Sequence, residues 1–132
     1  MAKFVVDCGV VLNLAAGQTK VPAKHELLAP TLLRSQTLSA VHEAVHRGDL
    51  TAEAGRERLR RVNGMSIRLL GDAVLRRRAW DIAEELGWPE TYDAEYVALT
   101  QLQADAFVTL NKKLARQAQK LVRVATIEEL NG

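Results

Sequence analysis

The chain has 132 residues, of which 48% are hydrophobic and 26% are charged. This composition is typical of one soluble globular domain and excludes a disordered, collagen-like or disulfide-stabilised chain. The single cysteine, Cys8, excludes an intrachain disulfide and indicates a reducing compartment. The apolar runs are far shorter than the ~20 residues of a membrane span. Asp7 also follows the N-terminus too closely for a signal peptide, so we expect a cytoplasmic protein with no membrane segment.

The charge balance is nearly even, with 18 basic and 16 acidic residues and a formal net charge of +2. This balance does not by itself indicate nucleic-acid binding. Basic residues do cluster over residues 56–61, 76–78 and 112–123. Such clusters can contact phosphates, although solvated helix faces explain the first two more simply.

The first half of the chain predicts two strands, each followed by helical segments. Residues 3–7 and 27–30 are short apolar runs that end at small residues or proline, as buried strands do. A short helix is predicted over residues 10–16 and a loop over 17–25. A longer helix is predicted from a cap at Thr31 to about Arg47, and Thr51 caps a third helix that ends at the turn Asn63-Gly64.

The second half of the chain continues the same alternation. Strands are predicted over residues 66–70, 106–110 and 121–125. The helices between them begin at the caps Asp72 and Thr91 and at Lys112. Strands that alternate with helices indicate an α/β fold with a parallel sheet. We expect one domain over residues 1–132.

Three polar residues from distant parts of the sequence are expected at one edge of this sheet. Asp7 ends the first strand, Asn111 follows the strand over 106–110, and Asp93 lies in the first turn of a helix. Ligands of open parallel sheets bind beyond the carboxyl ends of the strands, so these groups can share a site. Each also has a local explanation, because Asp7 can cap the next helix, Asp93 suits a helix N-terminus and Asn111 suits a turn.

Four segments resemble, in the same order, the motifs of PIN-domain nucleases. They are residues 4–12, 27–36, 91–99 and 105–114. The match extends over essentially the whole chain, which looks like a VapC-type toxin of a toxin–antitoxin pair. The resemblance implies a three-layer α/β/α domain with a central parallel sheet of four or five strands, and a metal-dependent endoribonuclease.

The resemblance also implies a site in which four acids surround one or two Mg²⁺ or Mn²⁺ ions. Mg²⁺ prefers hard oxygen ligands, and a bound metal activates water and screens the scissile phosphate. This chain departs from that pattern, because Gln36 and Asn111 stand where the family has acids. We expect Asp7 and Asp93 to hold the metal, with the two amides as weakened ligands or water-orienting groups. Thr109 matches a hydroxyl often found beside the fourth acid, and either binds a metal water or phosphate or caps the chain locally.

No nearby acid is expected to replace the two that are missing. Glu43 lies roughly 10 Å along the helix from Gln36. Glu95 points to a different helix face from Asp93, and Asp105 precedes its strand at the opposite sheet edge. His42 and His46 have the i,i+4 spacing of zinc sites. Without further ligands we expect them to be solvated or interface histidines.

Two tryptophans and the cysteine have simpler interpretations. Trp80 occupies a helical core position, so we expect it to be buried. Trp88 precedes Pro89 in a loop, so we expect it to be exposed, where it can stack on RNA bases. Cys8 is expected to pack inside the fold rather than act as a nucleophile.

Three functions remain open at this point. The first is a VapC-like toxin of reduced activity that hydrolyses RNA. The second is a catalytically decayed domain that binds an antitoxin or RNA, and the third is a deliberately inactivated variant of an active toxin. The resemblance implies a VapB-like antitoxin in a groove near Asp7 and the helix carrying Gln36, and a homodimer.

Overall fold

The computed structural model describes residues 2–17 and 21–131, in which five strands and six α-helices alternate. The strands are β1 (Ala2–Val6), β2 (His25–Pro30), β3 (Ile67–Leu70), β4 (Ala106–Val108) and β5 (Val124–Ala125). The helices are α1 (Cys8–Gly17), α2 (Leu32–His46), α3 (Ala52–Asn63), α4 (Ala73–Leu86), α5 (Tyr92–Gln103) and α6 (Lys112–Ala118), and a 3₁₀-helix (Ile127–Asn131) follows β5. Of the predicted loop over 17–25, residues 18–20 lie outside the described residues.

All five strands pair in parallel, in the order β3-β2-β1-β4-β5. Val5 in the central strand pairs with Leu28 on one side and Phe107 on the other. Helices flank the sheet, and the three-layer α/β/α fold with a parallel sheet is confirmed. Most residues of β1, β2 and β4 are buried, which explains why the sequence shows continuous apolar runs there rather than alternation.

The strand order determines which helices share a layer. The chain moves in one direction from β1 to β2 to β3 and in the opposite direction from β3 to β4 to β5. Because crossovers between parallel strands are right-handed, α1–α3 cover one face and α4–α6 cover the other. The helices α1, α2 and α3 contact one another, and α5 packs on α4 and on β1, β2 and β4. The direction reverses between β1 and β4, where open parallel sheets form their ligand sites.

Two of the predicted helix caps are confirmed and two, Thr31 and Thr91, are wrong, because neither of these side chains makes a cap hydrogen bond. Thr51 accepts a hydrogen bond from the backbone N–H of Ala54 at 3.0 Å, and Asp72 accepts one from Leu75 at 2.8 Å. Thr31 makes no side-chain cap bond. Its side chain instead packs against Gly71, where an added Cβ would lie 2.7 Å from the Thr31 hydroxyl.

The burial predicted for Trp80 is wrong, because 64% of its surface is exposed. The buried residues of α4 are Leu75, Ala79, Ile82 and Ala83. Trp80 follows Ala79 directly, so the ~100° turn per residue moves it off the buried face.

Two strand ends also differ from their predictions. The strand predicted over 106–110 ends at Val108, and the strand predicted over 121–125 is confined to Val124–Ala125. The backbone N–H of Asn111 turns back to the Thr109 hydroxyl at 3.2 Å, which ends the extended segment before Leu110.

Among the described residues, none of the helices is long and apolar enough to cross a membrane.

The close packing of α2 against α3 requires glycine at position 55. A Cβ at this buried position would lie 2.6 Å from Cγ2 of Val45. Val45 is β-branched and cannot move aside cheaply. We therefore expect Gly55→Ala to lower the free energy of unfolding in urea by about 1–3 kcal/mol.

Gly9→Ala is the matched control, since its Cβ would make only an ordinary contact of 3.8 Å with Asp7. Alanine also favours the helix by about 1 kcal/mol, so this variant should be at least as stable as the parent. Alanine favours the helix at both positions, so Gly55→Ala being as stable as Gly9→Ala would contradict the proposed close contact.

Candidate functional site

Asp7 occupies the point where the sheet changes direction. One carboxylate oxygen accepts a hydrogen bond from the backbone N–H of Val10 at 3.1 Å and so caps α1. The other accepts a hydrogen bond from the hydroxyl of Thr109 at 2.5 Å. Because β1 and β4 are neighbours, residues that follow these two strands meet although 102 positions separate them. Asp7 therefore acts as a helix cap and also belongs to the cluster predicted at this edge.

Asp93, in the first turn of α5, contributes to the electrostatics of Asp7. Burial raises the pKa of Asp7, the hydrogen bonds from Thr109 and Val10 oppose this shift, and the negative charge of Asp93 adds to it. Partial enclosure also raises the pKa of Asp93, and the charge of Glu90 adds to that effect. The first turn of α5 thus brings a second carboxylate to the carboxyl end of β1.

Gln36 reaches the same cluster through Tyr96, a residue that the sequence analysis did not single out. The Tyr96 hydroxyl donates to Oε1 of Gln36 at 2.5 Å. Burial raises the pKa of Tyr96 far above its usual value, and the charge of Asp7 adds to this shift. The hydroxyl therefore stays protonated. The sequence signal that could have identified Tyr96 was its hydroxyl, which is a polar group at an otherwise apolar position of residues 91–99.

Asn111 is the N-cap of α6, a role that differs from the turn position predicted from its local sequence. Its side-chain oxygen accepts a hydrogen bond from the backbone N–H of Leu114 at 3.0 Å, which caps α6. Thr109 has the local capping role that was one of its two predicted alternatives, and it also contacts Asp7. Its hydroxyl accepts a hydrogen bond from the Asn111 backbone and donates to Asp7.

A cavity of about 420 Å³ opens at this edge, and its lining includes Gln36, Asp93 and Asn111. Trp88 also borders this cavity. The exposure predicted for Trp88 is wrong, because it is half-buried against the core and its indole N–H donates to Gln117 at 3.1 Å. Gln117, on α6, is a further lining residue that no sequence motif indicated.

The other sequence predictions for nearby residues hold where the structure reports on them. Asp105 accepts a hydrogen bond from the backbone N–H of Lys3 at 2.8 Å, at the opposite edge of the sheet. His42 and His46 are exposed. Burial, with a smaller contribution from Asp7, raises the pKa of the Cys8 thiol to about 11, so Cys8 stays a protonated thiol.

The oxygen ligands fit a divalent metal only in part. No three His, Cys, Asp or Glu side chains lie close enough to hold a metal ion within residues 2–17 and 21–131. The pair Asp7 and Asp93 remains. The Gln36 and Asn111 oxygens each already accept one protein hydrogen bond, which leaves one lone pair apiece. Mg²⁺ is often held by one or two carboxylates together with water and substrate phosphate, and the pair suits such a site.

The comparisons with known proteins support the fold. No family model matches the sequence, and no curated protein matches it. Among solved structures, the crystal structure of PAE2754 from Pyrobaculum aerophilum is similar, with a TM-score of 0.79 and 23% sequence identity. The similarity covers 98% of this chain and 93% of that chain. At this level of identity the chain shares the fold of PAE2754.

The raised pKa of Asp7 predicts a stability cost at neutral pH. Its folded pKa lies above the unfolded value of 3.8, so the folded state loses stability as pH rises through the folded pKa. We expect Asp7→Asn to increase the free energy of unfolding at pH 7, with the gain shrinking as pH falls towards 3.8. Urea titrations between these pH values measure this difference.

Asp81→Asn, an exposed carboxylate on α4, controls for the loss of one negative charge. A lower stability of Asp7→Asn at pH 7 would show that having two acceptor oxygens, one for Val10 and one for Thr109, outweighs the burial of the charge.

Proposed function

We propose that the chain is a VapC-like, metal-dependent endoribonuclease with reduced activity. The observation that carries this proposal is a cavity at the switch point of the sheet that is lined by Asp93, Gln36 and Asn111, with Asp7 near enough for the charge of Asp93 to raise its pKa. Paired carboxylates at such a position suit a divalent cation and a phosphate ligand. The resemblance of the four sequence segments to PIN-domain motifs supports the same activity.

In this proposal Asp7 and Asp93 hold Mg²⁺ or Mn²⁺. The bound metal lowers the pKa of a water molecule and screens the charge of the scissile phosphate. Thr109 fixes the orientation of the Asp7 carboxylate through its hydroxyl. Lys113 borders the cavity and supplies a positive charge for an RNA phosphate.

The reduced activity follows from the two amides. An amide oxygen can contact a cation but does not neutralise its charge, and an amide cannot act as a base. Gln36 and Asn111 also use their oxygens in bonds to Tyr96 and Leu114. The same observations favour the second candidate, a domain that has lost catalysis by decay or deliberate inactivation and binds an antitoxin or RNA.

An antitoxin is the proposed protein partner. An apolar cavity of about 520 Å³ lies between α2, α3 and β3, and its lining includes Leu33, Leu38 and Val62. Leu38 is 58% exposed, which supports a partner segment with apolar side chains. This cavity lies on the helix that carries Gln36, as the sequence analysis proposed, but its lining does not include Asp7. The two site carboxylates suit a basic side chain of the partner.

The proposed RNA cleavage is tested by restoring the missing acids. Gln36→Glu keeps an oxygen for the Tyr96 hydroxyl, and Asn111→Asp keeps one for the Leu114 N–H. We expect the double variant to cleave a structured RNA at least about 100-fold faster than the parent, since one electrostatic group typically contributes 10²–10³ in rate. The measurement is single-turnover cleavage with saturating Mn²⁺.

Asp7→Asn or Asp93→Asn should abolish cleavage in the restored background. The matched control is Gln119→Glu with Asn131→Asp, which adds the same two charges at exposed positions outside the cavity and changes the net charge from +2 to 0. Equal cleavage by the parent and the restored variant would contradict the account of the amides.

A homodimer is the proposed assembly. Val74 and Leu102 are 55% and 36% exposed and border one apolar cleft of about 260 Å³ between α4 and α5. We expect light scattering at tens of micromolar to give twice the chain mass of 14.6 kDa. A monomer at that concentration would refute the homodimer.

A further inference from the structure

Three side-chain amides line the cavity that is also lined by Glu90 and Asp93. The oxygen of each amide accepts a hydrogen bond from a protein donor. The three amides are Gln36, Asn111 and Gln117. The oxygen of Asn111 accepts from Leu114 N–H at 3.0 Å, that of Gln117 from the indole of Trp88 at 3.1 Å, and that of Gln36 from the hydroxyl of Tyr96 at 2.5 Å.

The first two orientations follow from chemistry alone. A backbone N–H and an indole N–H can only donate, so Asn111 and Gln117 must offer them oxygen. In each amide, the NH₂ group then points away from the donor that the oxygen binds. Within residues 2–17 and 21–131, none of the three amide nitrogens donates to a protein group. The lining of the cavity therefore includes three side chains whose NH₂ groups, each with two donors, have no protein acceptor among these residues, together with Lys113.

The charges at the cavity favour a neutral ligand on these donors. Glu90 and Asp93 border the same cavity as Lys113, so two carboxylates oppose one ammonium. These carboxylates would repel any phosphate other than the one proposed to contact Lys113. They would not repel the carbonyl oxygen or ring nitrogen of a neutral base in the same way. Tyr92, which is 52% exposed, and the half-buried Trp88 also line the cavity and offer aromatic surface to a planar ligand.

We propose that this cavity, the amide pocket, binds a nucleobase of single-stranded RNA and prefers the keto bases uracil and guanine to the amino bases cytosine and adenine. Uracil offers its O4 carbonyl, and guanine offers its O6 carbonyl, to a surface of N–H donors. Cytosine and adenine present an amino group at the equivalent position. This amino group is a donor and cannot accept a hydrogen bond from the amide NH₂ groups. The inference rests on the proposed RNA substrate, but base binding requires neither a metal nor cleavage.

The test is an NMR titration of the ¹⁵N-labelled full chain in EDTA. Uridine and cytidine form one matched pair, and inosine and adenosine form another, because each pair differs by a keto or amino group on the ring. We expect each keto nucleoside to bind at least about fivefold more tightly than its amino partner, the effect of one net hydrogen bond. The indole N–H of Trp88 should shift, and the indole of Trp80, which does not line the cavity, should not.

Gln117→Glu provides the sharper comparison. A carboxylate still accepts the bond from Trp88, but it turns an acceptor rather than a donor towards the cavity. We expect this variant to bind cytidine more tightly than uridine. Gln119→Glu adds the same charge at an exposed position of the chain outside the cavity and should keep the preference for uridine.

Equal binding within both nucleoside pairs of the parent would overturn the inference, as would an unshifted Trp88 signal with every nucleoside. These outcomes are separate from the test of the proposed function. RNA cleavage by the acid-restored variant without a base preference refutes the amide pocket alone. A base preference without cleavage in that variant refutes the nuclease alone.

Discussion

The hydrogen bond between Thr109 and Asp7 is the contact on which the candidate site depends. It joins the residues that follow β1 and β4, two parallel neighbours whose crossovers leave in opposite directions. That reversal leaves an open edge between the two layers of helices, and α5 brings Asp93 to it. The cost of partly burying Asp7 is visible in its raised pKa, and this cost is the physical reason to expect a charged ligand there.

The two amides change the chemistry of this edge without disturbing its structure. A carboxylate at position 36 or 111 could accept the protein hydrogen bond with one oxygen and bind a cation with the other. Gln36 and Asn111 share their oxygens with Tyr96 and Leu114, and their second group is an N–H donor. The edge therefore combines a carboxylate pair suited to a cation with a donor surface suited to carbonyl oxygens. In our proposals, a weakened metal site and a base-binding pocket are two consequences of the same two amides.

The sequence predicted the fold class and the positions of the strands well, because buried parallel strands produce short apolar runs that few other structures share. It also placed Asp7 and Asn111 at the correct edge of the sheet, since Asp7 directly follows β1 and Asn111 lies in the short segment between β4 and α6. It did not reveal the hydrogen bonds to Tyr96 and Gln117, because these depend on how α5 and α6 pack rather than on local spacing. The error at Trp80 has a similar origin. Several positions of α4 are apolar, and only packing against α5 decides which face is buried.

The central claim is that two carboxylates, and not four ligands, define the cation site. Calorimetric titration of the chain with Mg²⁺ near neutral pH tests this claim most directly. The account predicts weak binding, in the millimolar range or weaker, that tightens when Gln36→Glu and Asn111→Asp are introduced and is lost with Asp7→Asn. Micromolar binding of Mg²⁺ by the chain as it stands would show that the amides are competent ligands and would contradict the account.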